Sequence, residues 1–307
     1  MNKAIRIGTR ESELALWQAN QVKGLLEMQG YSAELVLIRS EGDIDLVTPL
    51  YELGVQGVFT KALDAALLAG RIDIAVHSMK DVPTVLAKGI AQVAVLPRAS
   101  YKDLLVPKGD FSLASDPDAA AVIATSSIRR RAQWLHRFPL HRIENLRGNV
   151  NTRLRKLSES NWQGAIFAAA GLERINLRPA NAVEIDWMLP APAQGAIMVV
   201  ARADDQHCLK ACQVFNDADT ALCTKTERDF LRTLLGGCST PISALAEISG
   251  NEVILKGDIV MPDGSARAEV TRVAPVSQAE NLGITAATDI LQLGGRAIVD
   301  SIRNGNT

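Results

Sequence analysis

The feature that most limits the possible folds is a short apolar run that ends abruptly in titratable side chains. Residues 74–76 are apolar, as is typical of a strand buried on both faces, and Pro83 ends any regular continuation. Because open α/β sheets present ligand sites at the carboxyl ends of their strands, we expect a site here. A Lys-Asp pair in isolation also fits a solvated turn, and that alternative stays open. The polar residues that follow the run are His77, Ser78, Lys80 and Asp81.

The same order of strand, loop and helix recurs along the first two thirds of the chain. Residues 4–7 form a first predicted strand, and Ser12 is a good N-cap for a helix with apolar residues spaced from Leu14 to Leu26. This alternation predicts an α/β fold. Further strands are predicted at 33–38, 90–96, 103–106, 121–124, 141–145, 164–170 and 197–201, and further helices at 59–69, from 129 onward, at 151–157 and at 218–235.

The order of the elements also predicts three domains. The pattern restarts near Tyr101, and the proline-rich run at 189–195 is typical of a hinge. The strand at 197–201 lacks a partner in the second domain, so we expect it to return to the first. After residue 237 the chain predicts three strands and a last helix broken near Gly294, which together form an α+β unit. The predicted domains are 1–98 with 195–216, then 99–194, then 217–307.

Charge and composition exclude some classes of function. The 307 residues include 33 Lys plus Arg and 34 Asp plus Glu, so no global field attracts nucleic acid or a membrane. The N-terminal residues begin a strand and contain no secretory h-region, and no stretch is long enough for a membrane span. We therefore expect a cytoplasmic protein.

Four cysteines lie in the last third of the chain, which is not the disulfide framework of a small secreted domain. The His207-Cys208-x3-Cys212 spacing allows a metal site, but it fits a helix face equally well and no CxxC partner exists. We predict reduced thiols and no metal. Cys238 lies between glycines and a proline, so both a buried structural cysteine and a reactive thiol remain open.

A strong local excess of positive charge lies between residues 129 and 156, with nine Lys or Arg and a single acid, Glu144. Arg129 follows Thr125-Ser126-Ser127 at a helix start, Arg147 ends a strand, and Arg153 lies one turn into a helix. This placement predicts guanidinium groups facing one crevice, suited to carboxylates or phosphates. A solvated basic face or a nucleic-acid patch is the alternative. Because aromatic residues are not interleaved, we favour a ligand with several carboxylates.

Five motifs occur together in an order that resembles one known family. The chain is similar over essentially its whole length to the porphobilinogen deaminases, also called hydroxymethylbilane synthases. Five separate blocks are far more specific than any one of them. The blocks are Ile7-Gly8-Thr9-Arg10-x-Ser12, His77-Ser78-Met79-Lys80-Asp81-Val82-Pro83, Thr125-Ser126-Ser127-x-Arg129-Arg130, Leu146-Arg147-Gly148-Asn149-Val150-x-Thr152-Arg153 and Gly236-Gly237-Cys238.

The resemblance implies a fold and a set of site residues. It implies two α/β domains like those of type II periplasmic binding proteins, a cleft between them, and a small C-terminal α+β domain. A dipyrromethane cofactor is attached through a thioether to Cys238, and Asp81 is catalytic. The implied cofactor-binding residues are Ser78, Lys80, Asp81, Thr125, Ser127, Arg129, Arg130, Arg147 and Gly148. The implied substrate-binding residues are Arg10, Ser12, Gln18, Ser126, Arg153 and Arg174.

The resemblance also implies the reaction. Four porphobilinogen molecules condense stepwise, with loss of ammonia, onto the covalent dipyrromethane primer, and water then releases the linear tetrapyrrole hydroxymethylbilane. A growing pyrrole chain accumulates carboxylates, so the site needs many cations and no metal. A carboxylate against pyrrole N–H groups stabilises cationic intermediates, which is the role implied for Asp81. Porphobilinogen is the expected small-molecule partner, with no nucleic acid or membrane, and a monomer is expected.

The sequence departs from the family pattern at a few positions. Glu41, Glu52 and Gln56 lie in a loop where family members commonly carry lysines, and Ala193 stands where a glycine is usual. The main rival is a non-catalytic, two-lobed protein that binds an acidic ligand, and the effector domain of a regulator is a third possibility. Cys238 together with Asp81 argues against a purely binding role, and no helix-turn-helix segment precedes the fold.

Overall fold

The structure is a computed structural model that describes residues 4–39, 60–109, 116, 118–234 and 240–304. The loop positions Glu41, Glu52 and Gln56 and the cysteine Cys238 lie outside the described residues. The strands are β1 (Ile5–Thr9), β2 (Ala33–Leu37), β3 (Ile74–Ser78), β4 (Ile90–Val95), β5 (Asp103–Pro107), β6 (Val122–Ala124), β7 (Arg142–Glu144), β8 (Gly164–Ala168), β9 (Val183–Glu184), β10 (Ile197–Arg202), β11 (Ile242–Ser249), β12 (Glu252–Val260) and β13 (Arg267–Pro275). The helices are α1 (Glu13–Met28), α2 (Lys61–Leu68), α3 (Ile128–Arg137), α4 (Val150–Glu159), α5 (Ala169–Glu173), α6 (Gln206–Gln213), α7 (Ala218–Leu234), α8 (Leu282–Ile290) and α9 (Arg296–Arg303).

The first sheet has the strand order β2-β1-β3-β10-β4. Strand β1 is parallel to β2 and β3, whereas β10 runs antiparallel to both β3 and β4. The expected return of the strand at 197–201 to the first sheet is therefore confirmed. Buried apolar side chains cover both faces of this sheet, which explains why its strands read as continuous apolar runs.

The second sheet repeats this arrangement, with the order β7-β6-β8-β5-β9 and a single antiparallel strand, β5, between β8 and β9. Strand β8 ends at Ala168 and the chain then turns into α5, so the predicted strand to residue 170 is too long. The two-residue strand β9 has no apolar period in the sequence and was not predicted. A helix directly after β8 brings the side chains of its first turn to the carboxyl edge of the sheet.

The third sheet, β11-β12-β13, is antiparallel and packs against α7 and α8 over a separate apolar core. The last helical segment is interrupted at Gly294, whose φ of 101° lies in the left-handed region, so the predicted break is confirmed. Two mixed α/β sheets and a C-terminal α+β unit confirm the predicted fold class. The residue boundaries of the domains stay predictions.

A buried carboxylate on α7 links the first sheet, the hinge and the third sheet. Glu227 accepts two hydrogen bonds from Arg98, which follows β4, at 2.6 and 3.1 Å. It also accepts the backbone N–H of Ala193 in the hinge and of Ala246 on β11, at 2.6 and 2.7 Å. The hinge between the first two sheets is thus held by α7. None of the helices in the described parts of the chain is both long and apolar enough to cross a membrane.

Candidate functional site

A pocket lies between the first two sheets, where several strands end and several helices begin. It is bordered by the start of α1, the turn after β3, the start of α4, the end of β8 with α5, and the hinge at Gly195. The structure therefore brings together most of the site residues expected from the sequence. The expected residues that line the pocket are Arg10, Ser12, Ser78, Lys80, Asp81, Arg130, Arg147, Gly148, Arg153 and Arg174.

Two helices point their N-termini at the pocket. The Ser12 side chain caps α1 by accepting the N–H of Ala15 at 3.4 Å, and Asn149 caps α4 by accepting the N–H of Thr152 at 2.9 Å. Both caps line the pocket, so the positive ends of both helix dipoles favour an anion there. Gly148 precedes the second cap with a φ of 115°, and a Cβ at this position would lie 2.6 Å from Thr152. Only glycine fits this turn.

Arg153 is a half-buried cation that has no counter-ion within the described part of the chain. Its guanidinium forms no hydrogen bond or ion pair with any residue that the structure describes, and its Nε is buried. Burial, followed by the neighbouring charges of Arg130 and Arg147, lowers the Arg153 pKa to about 10. The charge of Asp81 raises the Arg153 pKa, but by less. Such a cation is suited to a carboxylate supplied by a ligand.

Arg174 reaches the pocket from the end of α5. Its Nη2 donates to the Gly195 carbonyl at 2.7 Å, and its guanidinium lies 5.5 Å from the centre of the Trp17 ring. Burial lowers the Arg174 pKa to about 10, although Glu173 raises it. The Nε of Arg174 is buried and has no hydrogen-bond partner in the structure. One edge of this guanidinium is therefore held by the hinge, and the other is available to a ligand.

Asp103, which the sequence analysis did not single out, is the buried counter-ion of two expected site residues. It accepts Arg129 Nη2 at 2.8 Å, and Arg130 Nη2 and Nε at 2.7 and 3.1 Å. Burial by itself raises the Asp103 pKa, but the two guanidinium groups outweigh it and hold the pKa well below its usual range. A lone acid at the start of the apolar run Asp103-Leu-Leu-Val is the sequence signal that points to such a partner.

Some expected site residues are absent from the lining of this pocket. Arg129 donates Nη1 to the Leu189 carbonyl at 2.6 Å, in addition to its ion pair. Ser127 caps α3, with Thr125 beside it, and the Ser126 hydroxyl accepts the N–H of Leu146 at 2.9 Å. Their predicted ligand contacts stay predictions.

Side chains at the end of β3 also contact the interior of the protein. Gln18 on α1 donates to the Ser78 hydroxyl at 2.9 Å, so Gln18 supports Ser78 without lining the pocket itself. His77 is buried, and burial followed by the charge of Arg10 lowers its pKa to about 4. The imidazole is therefore neutral near pH 7.

Lys80 and Asp81 lie in a single helical turn, Met79–Asp81, directly after β3. Arg228 on α7 donates to the carbonyls of Val82 at 2.9 Å and Pro83 at 2.6 Å, which fixes this turn. Burial, followed by the charge of a neighbouring arginine, lowers the Lys80 pKa to about 8. Asp81 is half-buried and lines the pocket. A carboxylate and a lysine are thus presented side by side to any ligand.

The three cysteines within the described residues are buried. Burial raises the pKa of Cys212 to about 12 and of Cys223 to about 11, and it raises that of Cys208 further. These thiols are protonated near neutral pH and are poor nucleophiles. Across the described ranges, no three His, Cys, Asp or Glu residues are grouped so that they could hold a metal ion.

Comparison with known proteins identifies similar chains. Residues 5–210 match the family described as porphobilinogen deaminase, dipyromethane cofactor binding domain, and residues 221–292 match the porphobilinogen deaminase C-terminal domain. A porphobilinogen deaminase of Syntrophotalea carbinolica is 43% identical over 305 residues, covering 98% of this chain and 96% of the relative. One of Acidithiobacillus ferrooxidans is 40% identical over 310 residues, covering 99% and 100%.

The solved structures that match this chain are more distant in sequence. The methionine-binding protein MetQ is 14% identical with a TM-score of 0.44, covering 71% of this chain and 92% of that protein. An ancestral cationic amino acid solute-binding protein is also 14% identical, with a TM-score of 0.43, covering 69% and 87%.

Proposed function

Because this chain belongs to the porphobilinogen deaminase family, we propose that the pocket between its first two sheets is where porphobilinogen is bound and condensed. The family consists of transferases that form hydroxymethylbilane from four porphobilinogen molecules with loss of ammonia. One observation carries the placement of the site. Arginine side chains and two helix N-termini converge on one pocket, and Arg153 there has no counter-ion among the residues that the structure describes.

The residues present fit the dipyrromethane cofactor of the family. Its acetate and propionate groups are carboxylates, and the buried Nε atoms of Arg153 and Arg174 are donors without protein partners. Arg130, Arg147, Ser78 and the N-terminus of α4 complete a positive cradle. When bound, the cofactor supplies the pyrrole carbon that is extended. The protein's part is to neutralise and orient carboxylates.

We assign the covalent attachment to Cys238. The other three thiols are buried and have raised pKa values, so little thiolate forms at Cys208, Cys212 or Cys223 near neutral pH. Cys238 follows α7 within a Leu-Gly-Gly-Cys-Ser sequence, and α7 contacts the turn bearing Lys80 and Asp81 through Arg228. Cys238 thus follows in sequence the helix that supports the turn bearing Asp81.

Asp81 is assigned the catalytic role. Asp81 lines the pocket, and a carboxylate can accept hydrogen bonds from pyrrole N–H groups while stabilising positive charge that develops on the rings. It can also accept a proton at Oδ when a ring regains aromaticity. The role that we assign to Lys80, Arg10 and Arg153 is to bind the carboxylates of substrate and product.

The mass of the intact protein tests this proposal. Purified from a host that makes porphobilinogen, the protein should carry an adduct of two condensed porphobilinogen units and should release hydroxymethylbilane when given substrate. Cys238→Ser should lack the adduct, because a hydroxyl is a much weaker nucleophile. Cys223→Ala is the matched control and should keep it. An adduct that persists in Cys238→Ser would move the attachment elsewhere.

We also propose that the protein is a cytoplasmic monomer with no nucleic-acid or membrane partner, which the near-balanced total charge supports. We propose the domain boundaries 1–98 with 195–216, 99–194 and 217–307, which the three separate sheets support. A non-catalytic binding protein is the alternative, and it would bind porphobilinogen without releasing a tetrapyrrole. Light scattering during size exclusion measures the mass of the particle in solution.

A further inference from the structure

A buried glutamine in the hinge connects the two sides of the pocket. Gln194 is 1% exposed and lies between β9 and β10, on the segment that joins the second sheet to the first. Its Nε2 donates to the Tyr101 carbonyl at 2.8 Å and to Asp103 Oδ1 at 2.9 Å. Its Oε1 accepts Lys80 Nζ at 3.2 Å. All three contacts reach elements far from Gln194 in sequence.

The chemistry of these partners fixes the orientation of the amide. A backbone carbonyl and a carboxylate can only accept, so both must face the NH2 group. The carbonyl oxygen of the side chain is then left for Lys80, which can only donate. The backbone is held as well, because the Gln194 N–H donates to Ala191 at 2.9 Å and its carbonyl accepts Arg98 Nε at 2.9 Å. Neither end of the residue is free to turn.

We propose that Gln194 is a positioning residue that holds the Lys80 ammonium at the pocket and joins it to the buried Asp103 with its arginine pair. This inference rests on the proposed function of the pocket. A neutral amide suits the task, since it satisfies a cation on one side and a carboxylate on the other without adding charge. A glutamate here would place a second carboxylate against Asp103.

Lys80 depends on such a partner because the charges around it oppose one another. Arg129 and Arg130 on α3 repel its ammonium, and Asp103 on β5 and Asp81 beside it attract the ammonium. Burial disfavours the charged form further. A hydrogen bond from Lys80 to Gln194 therefore stabilises the protonated amine, and its loss should lower the pKa of Lys80 further.

The test is a double-mutant cycle of Gln194→Met and Lys80→Met in the full-length holoenzyme. Gln194→Met keeps the length of the side chain and should reduce kcat/KM for porphobilinogen roughly tenfold, as expected for a lost hydrogen bond to a charged group. If Gln194 acts through Lys80, the kcat/KM of the double variant should be no lower than that of Lys80→Met. Gln163→Met is the control, since Gln163 contacts Asn161 and Val122 away from the pocket. Additive losses in the cycle overturn the proposal.

A second measurement requires no turnover. Lysine labelled with 13C at Cε gives a signal for Lys80, identified by its disappearance in Lys80→Met. In Gln194→Met this signal should titrate at lower pH than in the wild type, and the alkaline limb of the kcat/KM profile should move in the same direction. An unchanged titration overturns the inference. An inactive wild-type protein with a shifted titration would instead overturn the proposed function.

The substitution to methionine removes two donors from buried acceptors and can prevent folding, so Gln194→Asn is the second variant. Asparagine keeps the amide but is one methylene shorter, so an amide still held by the Asp103 carboxylate and the Tyr101 carbonyl cannot also reach Lys80. It should show the same shift of the Lys80 titration with a smaller loss of melting temperature. A wild-type Lys80 titration in a folded Gln194→Asn would contradict the role assigned here.

Discussion

Arg153 and Arg155 are two arginines on the same helix, α4, with opposite surroundings. Arg153 lines the pocket and has no counter-ion among the described residues, whereas Arg155 is exposed and paired with Glu159 at 3.2 Å. Arg153→Leu should leave a ligand carboxylate unpaired and lower kcat/KM by roughly 30-fold or more, for about 2–5 kcal/mol of lost interaction. Arg155→Leu should change neither kcat/KM nor the free energy of unfolding by more than about 0.5 kcal/mol. Equal effects of the two substitutions on steady-state kinetics would contradict the assignment.

Asp81→Asn tests charge at nearly constant shape. If the carboxylate only supported the turn before Pro83, the loss would be about 1 kcal/mol of stability or less. If it stabilises positive charge on the pyrroles, turnover should fall a hundredfold or more. We expect folded protein that carries at least part of its cofactor and has almost no turnover. If the variant kept more than about a tenth of the wild-type kcat, the activation free energy would have risen by less than about 1.4 kcal/mol. The catalytic role would then belong to another acid.

Arg129 illustrates why residue type alone does not define a role. Its guanidinium is committed to Asp103 and the Leu189 carbonyl, so it stabilises the wall of the second sheet from behind. Removing one partner of a buried ion pair typically costs about 3–5 kcal/mol. A substitution of Arg129 therefore acts on folding as well as on ligand binding, unlike one of Arg153.

The packing of α7 against α8 depends on a single glycine. A Cβ on Gly283 would lie 2.1 Å from the Thr226 carbonyl oxygen and 3.0 Å from the Phe230 nitrogen, both of which belong to the backbone of α7. Gly283→Ala should therefore push the helices apart and destabilise the protein by about 1–3 kcal/mol. Thermal or denaturant unfolding measures this change.

Gly24 is the matched control for that substitution. It lies within α1, and no atom lies within 4 Å of a Cβ built there. Gly24→Ala should stabilise the protein by about 0.5–1 kcal/mol, because alanine has the higher helix propensity. Destabilisation by both substitutions would mean that close packing is not what distinguishes Gly283.

At the scale of the whole molecule, Glu227 links the first sheet, the hinge and the third sheet. Its carboxylate is fully buried and accepts hydrogen bonds from Arg98, from the hinge and from β11. Glu227→Gln leaves Arg98 without a counter-ion and should cost about 3–5 kcal/mol of folding free energy. The variant should also lose cofactor, since Ala193 precedes the residue that contacts Lys80.

Glu159→Gln removes an exposed carboxylate from its pair with Arg155 and is the control. It should change stability by less than about 1 kcal/mol. Melting temperature and the fraction of protein carrying the adduct are the two readouts. A Glu227→Gln protein as stable as the control would show that the sheets are held together mainly by apolar contacts.

Local sequence patterns are enough to predict several structural elements of this protein. The apolar strand at 74–76, the capped helix after Ser12 and the break at Gly294 each follow from neighbouring residues, whose spacing and backbone preferences act over a few positions. The excess of positive charge between residues 129 and 156 likewise predicted an anionic ligand, since a net charge is visible without coordinates.

Tertiary structure decided which of those cations face the pocket and which are neutralised inside the protein. Arg129 and Arg153 look alike in sequence, but Asp103, 26 residues away from Arg129, pairs with the first and leaves the second for a ligand. The bonds of Gln194 to Lys80 and Asp103 span 114 and 91 residues. A carboxylate or amide acquires such a role only when folding removes water and brings distant partners within hydrogen-bond reach, and no local pattern encodes that distance.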